Sequence, residues 1–398
     1  MSDKNAKRFI FITLLYPLPF VVMMLGFIYI YDPLQIFHKP YFREATFFTN
    51  MRRQALGIIK HYKFDSYIIG TSMLDNTDPK EATSKLNSDG KWINISLSGS
   101  AFNERAVVLD YIFQNQNPKH IIYSLDGYYI VDTSTNDSSD WDLLYDDNPY
   151  NDIKVYINKQ LIDYAIKSYI NSQLARFDTK TTNEEDCPRK TDDIYQVTNW
   201  FKCKINSKRF GGFDNWIKNK YNEQINQTLI DIKNGNIKNI EKEDIGDISP
   251  QQDYLHKYLI RFFRDYPDTK FSIIIPTYSR LFYHMSNRQS PNDNSKNFYT
   301  WEKSLRYFIT QSSSYKNVKI YGFDDLDYAD DIANYKDLIH YNTDLNSFQL
   351  DAIKNQTNIL TPQNIDKYLK TMEQKIKSYD IEPLIKALEN VEIEQIKQ

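Results

Sequence analysis

A serine, a histidine and a carboxylate together make a hydroxyl nucleophilic, and this chain carries all three at the ends of apolar runs or just beyond the last of them. In FDSYIIGTSMLDN (64–76) a short apolar run delivers Ser72 to a turn, and Gly70 ahead of it lets the backbone bend sharply. A serine hydroxyl attacks a carbonyl only when a base takes its proton. Of the six histidines, His340 is the best base, because Asp337 lies three residues before it in NYKDLIHYNTDLNSFQLDA. In one helical turn or a tight loop that carboxylate orients the imidazole and stabilises its protonated form. The chemistry of such a set is acyl transfer through a covalent intermediate. Each member also has a plainer use: a serine after a strand caps a helix, and D-x-x-H recurs by chance on solvated helices.

A second turn adds weight to the first. NISLSGSAFNE (94–104) ends the next apolar run in Ser98-Gly99-Ser100, and a glycine there can present its backbone N–H to an oxyanion with no side chain in the way. The other histidines suit packing or surface roles: His38 near the apolar N-terminal segment, His61 and His256 on helical stretches, His120 at the head of a strand. His284, in PTYSRLFYHM, follows the fourth apolar run and is a further candidate that could reach the site. Tyr278 and Arg280 in the same segment are candidate contacts to substrate anions, or ordinary rim residues.

These residues meet only if a sheet brings them together. DSYIIG (65–70), WINISL (92–97), HIIYSL (120–125), FSIIIP (271–276) and VKIYGF (318–323) read as five buried strands. NERAVVLDYIFQN, starting at Asn103, is the crossover helix between the second and third; DYLHKYLIRFFRDY (253–266) and WEKSLRYFITQSSS (301–314) are later helices. Strand, helix, strand at this spacing makes a parallel sheet, whose ligands gather at the carboxyl ends of the strands. GTSM falls there, and the helix expected after it would aim free N–H groups at an oxyanion near Ser72. Before the sheet, NMRRQALGIIKHYKF has helical spacing. Residues 128–250 interrupt the alternation as a mainly helical insertion without obvious strands: NDIKVYINKQLIDYAIKSYINSQL is an amphipathic helix and TKTTNEEDCPRKTDD a charged loop. The α/β domain is therefore 64–127 plus 251–360, with C-terminal helices over 361–398 and Pro362 near the start of one.

The first segment sets the expected compartment. Residues 9–31, FIFITLLYPLPFVVMMLGFIYIY, carry no charge, and at 1.5 Å per residue they cross a hydrocarbon core of about 30 Å. Lys4, Lys7 and Arg8 precede them and Asp32 comes after, so residues 1–8 are expected in the cytoplasm and the main domain outside, after a juxtamembrane segment 32–63. Pro17 and Pro19 are expected to kink the span. No A-x-A-like site comes after it, which favours an uncleaved anchor over a signal peptide. In an oxidising compartment Cys187 and Cys203 are candidates for a disulfide; no CxxC spacing or neighbouring histidine supports a metal. The 49 basic and 52 acidic residues are well mixed, so no basic face points to nucleic acid. Neither glycine turn has the spacing of a nucleotide-binding loop, and no cofactor is expected.

Together, the anchor, G-T-S-M after the first strand, S-G-S after the second and D-L-I-H near the C-terminal end resemble the SGNH hydrolase-like superfamily, specifically its membrane-anchored DltD-like branch of D-alanyl transfer proteins. The resemblance covers the core strands and not the insertion. It implies a three-layer α/β/α fold around a parallel sheet of about five strands. Ser72 would be the nucleophile, His340 the general base and acid, Asp337 its orienting carboxylate, and Gly99 an oxyanion donor. It further implies acyl transfer to or from a cell-envelope glycan or lipid-linked substrate, as an O-acyltransferase or esterase, beside a membrane-bound O-acyltransferase as partner. One block departs: YSLDGYYI places Asp126 and Gly127 where the family has an asparagine. A carboxylate beside an oxyanion opposes catalysis unless it is protonated or turned away. Asn103 is a candidate for the missing donor, and Asp126 is either a turn-former or a contact to an amine or sugar hydroxyl. The alternative expectation is a non-catalytic envelope protein that binds glycan or scaffolds a partner.

Overall fold

The computed structural model describes residues 3–86, 90–127, 141–146, 148–157, 190–202, 204–217, 246–286 and 298–396, with single positions or short groups between them (130, 159, 162, 166, 169–170, 227, 229–231, 233–234). The chain divides into two compact units. One comprises 1–63, 138–182 and 189–194; the other comprises 64–137, 183–188 and 195–398. The expected insertion is thus shared between them, with everything from Tyr195 onward joining the unit that holds the sheet.

In the first unit the N-terminal helical stretch contains a 27-residue span, Asn5–Tyr31, long and apolar enough to cross a membrane. It breaks where Pro17 removes a backbone donor, giving Asp3–Leu15 and Leu18–Tyr31. Asp32 ends it in a left-handed conformation, φ 38°. Its carboxylate then accepts the backbone N–H groups of Ile36, Phe37 and His38 and the Tyr156 hydroxyl, which fixes the chain's exit from the helix. The next helix runs over Met51–His61. A short pair of strands, β1 (Phe47–Phe48) and β5 (Lys190–Thr191), is antiparallel, so this part of the insertion does contain a strand. The expected amphipathic helix from Asn151 opens instead as a 3₁₀ turn, Asp152–Tyr156; most of residues 158–189 lies outside the described residues.

The second unit is built on a six-stranded, mostly parallel sheet. Its strands are β2 (Ser66–Ile69), β3 (Trp92–Asn94), β4 (His120–Ser124), β6 (Lys270–Ile274), β7 (Val318–Tyr321) and β8 (Ile359–Leu360), in the order β3-β2-β4-β6-β7-β8. All five strands read from the sequence are present and parallel to one another. The sixth, β8, pairs antiparallel with β7 and was not expected, because two residues carry no periodic signal. Ile, Tyr and Phe fill the central strands, which are buried on both faces, the pattern of parallel sheets. Ile68, Trp92, Ile122, Ile274, Tyr321 and Phe323 lie in one core cluster.

The order matters for function. The chain starts at β2, steps to the edge strand β3, then returns past β2 to β4 and continues outward. The direction of winding therefore reverses between β2 and β4, and the crevice outside the carboxyl ends of such a pair is where open α/β sheets bind ligands. Ser72 lies just after β2 and Asp126 just after β4. The crossover helix, Phe102–Asn115, begins one residue before the expected Asn103 and buries Phe102, Arg105, Ala106, Val108, Leu109 and Ile112.

Candidate active site

Residues 71–77 do not form the helix start expected after Ser72; they make successive turns, and the next helix begins only at Pro79. The turns are held from outside. Asn94 of β3 donates its side-chain amide to the carbonyls of Leu74 (2.7 Å) and Thr77 (3.0 Å). The Tyr341 hydroxyl (2.9 Å) and the Asn346 amide (3.0 Å) both donate to the Met73 carbonyl. Thr198 donates to the Asp75 carbonyl at 2.7 Å, and the Trp200 indole N–H to the carbonyl of Ser72 itself at 3.1 Å.

The histidine arrives on a tight loop. An isolated bridge between Tyr335 and Tyr341 closes it, and the Lys336 N–H donates to the His340 carbonyl at 3.0 Å. Inside, Asp337 accepts the backbone N–H groups of Ile339 (3.1 Å) and His340 (2.9 Å). The same carboxylate faces His340 Nδ1 at 2.8 and 2.9 Å through its two oxygens. Ser279 N and Oγ donate to the Leu338 carbonyl, and Trp216 Nε1 donates to that of Tyr335 at 2.8 Å, fixing the loop against the sheet's carboxyl end.

Across 268 residues of sequence, His340 Nε2 and Ser72 Oγ lie 2.8 Å apart. With Nδ1 committed to Asp337 as donor, Nε2 is the acceptor, so the hydroxyl proton points at the imidazole. Burial would raise the Asp337 carboxyl, but the charge and hydrogen bonds of His340 and the Lys336 ammonium outweigh it and hold the carboxyl well below the usual range. It stays anionic at any physiological pH. The Ser72 and Gly99 amides donate to no protein acceptor among the described residues. Gly99 sits in the turn after β3 at φ 65°, the left-handed region that suits glycine. That turn is tied to the serine strand by Leu97 N–H donating to the Gly70 carbonyl at 2.8 Å.

Several expected members lie elsewhere. Asn103 stands on the first turn of its helix, where its side-chain oxygen accepts from the Tyr254 hydroxyl at 3.4 Å. Asp126 does not reach toward substrate: it is 1% exposed and bonded to Arg105, Ser124 and Thr71. Tyr278 is buried and packs on Phe282, ring centroids 4.7 Å apart. Arg280 is wholly buried, paired with Asp330 and donating to the carbonyls of Asp324 and Leu326. Neither Tyr278 nor Arg280 is a rim residue; the segment after β6 turns inward beneath the histidine loop. Of the other histidines, His120 is the packing residue expected, its Nε2 on Ser272 Oγ at 2.8 Å and its pKa lowered by burial to about 4. The His284 side chain, Cys187 and Cys203 lie outside the described residues, as does the expected disulfide. Among the described residues no cluster of His, Cys, Asp or Glu is placed to hold a metal.

Sequence reading missed Trp200. Its ring meets His340 edge-on (centroids 5.5 Å apart, 85° between planes), and the Lys336 ammonium lies 3.5 Å from the ring centroid. Burial lowers Lys336 to about 8 against the opposing pull of Asp337. Arg209 Nη2 is 4.0 Å from Asp337 Oδ2. Trp200 and Arg209 come from the polar stretch that carries no strand or helix periodicity, so no pattern marked them. Comparison with protein-family profiles, curated proteins and solved structures gives no match to this chain.

Proposed function

We propose that the protein is a membrane-anchored acyl-transfer enzyme of SGNH type, with a three-layer α/β/α core, acting on a cell-envelope glycan or lipid-linked ester. The observation that carries this reading is the relay of hydrogen bonds from Ser72 Oγ through His340 to Asp337, at 2.8 Å on each side of the imidazole. Ser72 Oγ attacks the ester carbonyl as its proton passes to His340 Nε2. The oxyanion takes the two free amides, Ser72 N–H and Gly99 N–H, and imidazolium is stabilised by the Asp337 carboxylate. When the intermediate collapses, His340 returns the proton to the leaving alkoxide and the acyl group stays on Ser72. An acceptor hydroxyl then gives its proton to His340 and attacks the acyl-enzyme, and as the ester to Ser72 breaks His340 returns that proton to Ser72 Oγ. With water as acceptor the same cycle is hydrolysis.

The uncharged run 9–31, with Lys4, Lys7 and Arg8 ahead of it, supports a single span with its N-terminus in the cytoplasm and the α/β domain outside. A membrane-bound O-acyltransferase that brings the acyl donor across the bilayer is the partner this reading implies. The scaffold alternative rested on the absent asparagine, and a non-catalytic protein has no need to keep serine, imidazole and carboxylate in hydrogen-bonded sequence. A fluorophosphonate probe tests the choice: wild type should form a covalent adduct and Ser72→Ala none. Equal labelling of both would remove Ser72 as nucleophile.

A further inference from the structure

The departure at Asp126 has a physical consequence for the serine. Asp126 Oδ1 accepts from the Thr71 hydroxyl at 2.7 Å and Oδ2 from the Ser124 hydroxyl at 2.6 Å. Ser124 Oγ in turn accepts from the Thr71 backbone N–H at 3.2 Å, and the Thr71 hydroxyl from the Met73 N–H at 3.3 Å. Arg105 Nη1 donates to Asp126 Oδ2 (3.2 Å), Ser124 Oγ (3.2 Å) and the Ser124 carbonyl (2.6 Å). The Arg105 and Asp126 side chains are 0% and 1% exposed, and the guanidinium lies 4.5 Å from the ring centroids of both Phe102 and Tyr123. The space is tight: a β-carbon on Gly70 would lie 2.7 Å from Ser124 Oγ. The residues immediately before and after Ser72 are therefore tied to one buried ion pair.

We propose that Asp126 and Arg105 are positioning residues that orient the Ser72 turn, so that its hydroxyl meets His340 and its N–H stays free for the oxyanion. The inference rests on the acyl-transfer reading above. The carboxylate does not oppose the oxyanion, because both of its oxygens are spent on donors beneath the turn and its charge is balanced by Arg105. Asparagine at 126 is therefore not an improvement. An amide offers only one oxygen where three donors converge, so its NH₂ would face either Arg105 Nη1 or a Thr71 hydroxyl, and Arg105 would lose its counter-charge. If position 126 merely lacked an oxyanion donor, asparagine would speed the reaction.

The experiment compares wild type, Asp126→Asn and Thr71→Val by the second-order rate of fluorophosphonate modification, by the kcat against KM split on a small ester, and by thermal midpoint. Thr71→Val keeps the shape and removes one hydroxyl, so it isolates positioning from folding. The expected result is modification at least tenfold slower in both variants, with the loss in kcat and not in KM, and a midpoint for Thr71→Val lowered by no more than a few degrees. Rates equal to or above wild type in either variant would overturn the proposal. Should wild type itself take no label, the acyl-transfer reading fails, and hydrogen exchange then decides the brace. Amides of 71–76 should exchange faster in Thr71→Val while β6 is unchanged; unchanged exchange there rejects it.

Discussion

The turn that carries Ser72 and the loop that carries His340 are built differently. Ser72 sits on backbone gripped by Asn94, Tyr341, Asn346, Thr198 and Trp200, partners up to 273 residues away, and underpinned by the Arg105–Asp126 pair. The histidine loop takes much of its shape from within, through Asp337 bonding the Ile339 and His340 amides and the imidazole and through the Tyr335–Tyr341 bridge. A shape made of long-range bonds loosens as each distant partner is lost. One made locally survives loss of its functional group. The two halves of one hydrogen bond should thus respond unequally to mutation.

His340→Ala separates function from fold most cleanly. Turnover should vanish while the thermal midpoint stays within a few degrees of wild type, since Asp337 still holds the Ile339 and residue-340 amides. Asp337→Asn strikes both roles at once. We expect about two to four orders of magnitude off kcat, as the imidazole loses its tautomer and its counter-charge, together with a lower midpoint from the loosened loop. It should also change the acid side of the stability curve. A carboxyl held below its unfolded value lends stability fully above the unfolded pKa of about 3.9 and loses it as pH falls through the folded value. Denaturant titrations at falling pH should therefore show a shallower acid decline in Asp337→Asn; an unchanged slope would mean that the carboxylate is not held as described.

Smaller still is the effect expected at Trp200. Trp200→Phe keeps a ring against His340 but removes the N–H that donates to the Ser72 carbonyl, one of several ties on that turn. A fall of about tenfold in kcat, equivalent to about 1.4 kcal/mol, is the expected outcome in steady-state assays, with stability changed by less than about 1 kcal/mol. An inactive but folded Trp200→Phe would place the indole in the chemistry and not at its edge.

The same contrast explains what the sequence disclosed. D-x-x-H is local, so the Asp337–His340 pair was legible from spacing alone, and so were the five strands, whose apolar runs match buried parallel strands. The brace was not legible as a unit, because Thr71, Arg105, Ser124 and Asp126 come from three segments. One hint existed: Arg105 lies four residues before Leu109 and seven before Ile112, on the stripe the helix buries, and a charge there requires a buried partner. The inward turn of Tyr278 and Arg280 arises because the chain after β6 runs under the histidine loop, which no single-segment pattern foretells. Strand β8 is held by two residues of pairing geometry, and Trp200 by a polar stretch without period.

The proposed mechanism puts the acyl group on Ser72 with His340 as its base. Wild type, His340→Ala and Ser72→Ala should each be mixed with an activated ester, quenched, and the peptide spanning residues 64–76 weighed. One acyl group is expected on that peptide in wild type, lost by mild alkali, with little in His340→Ala and none in Ser72→Ala. A wild-type peptide without the added mass, while ester is being turned over, would rule out Ser72 as the acyl carrier.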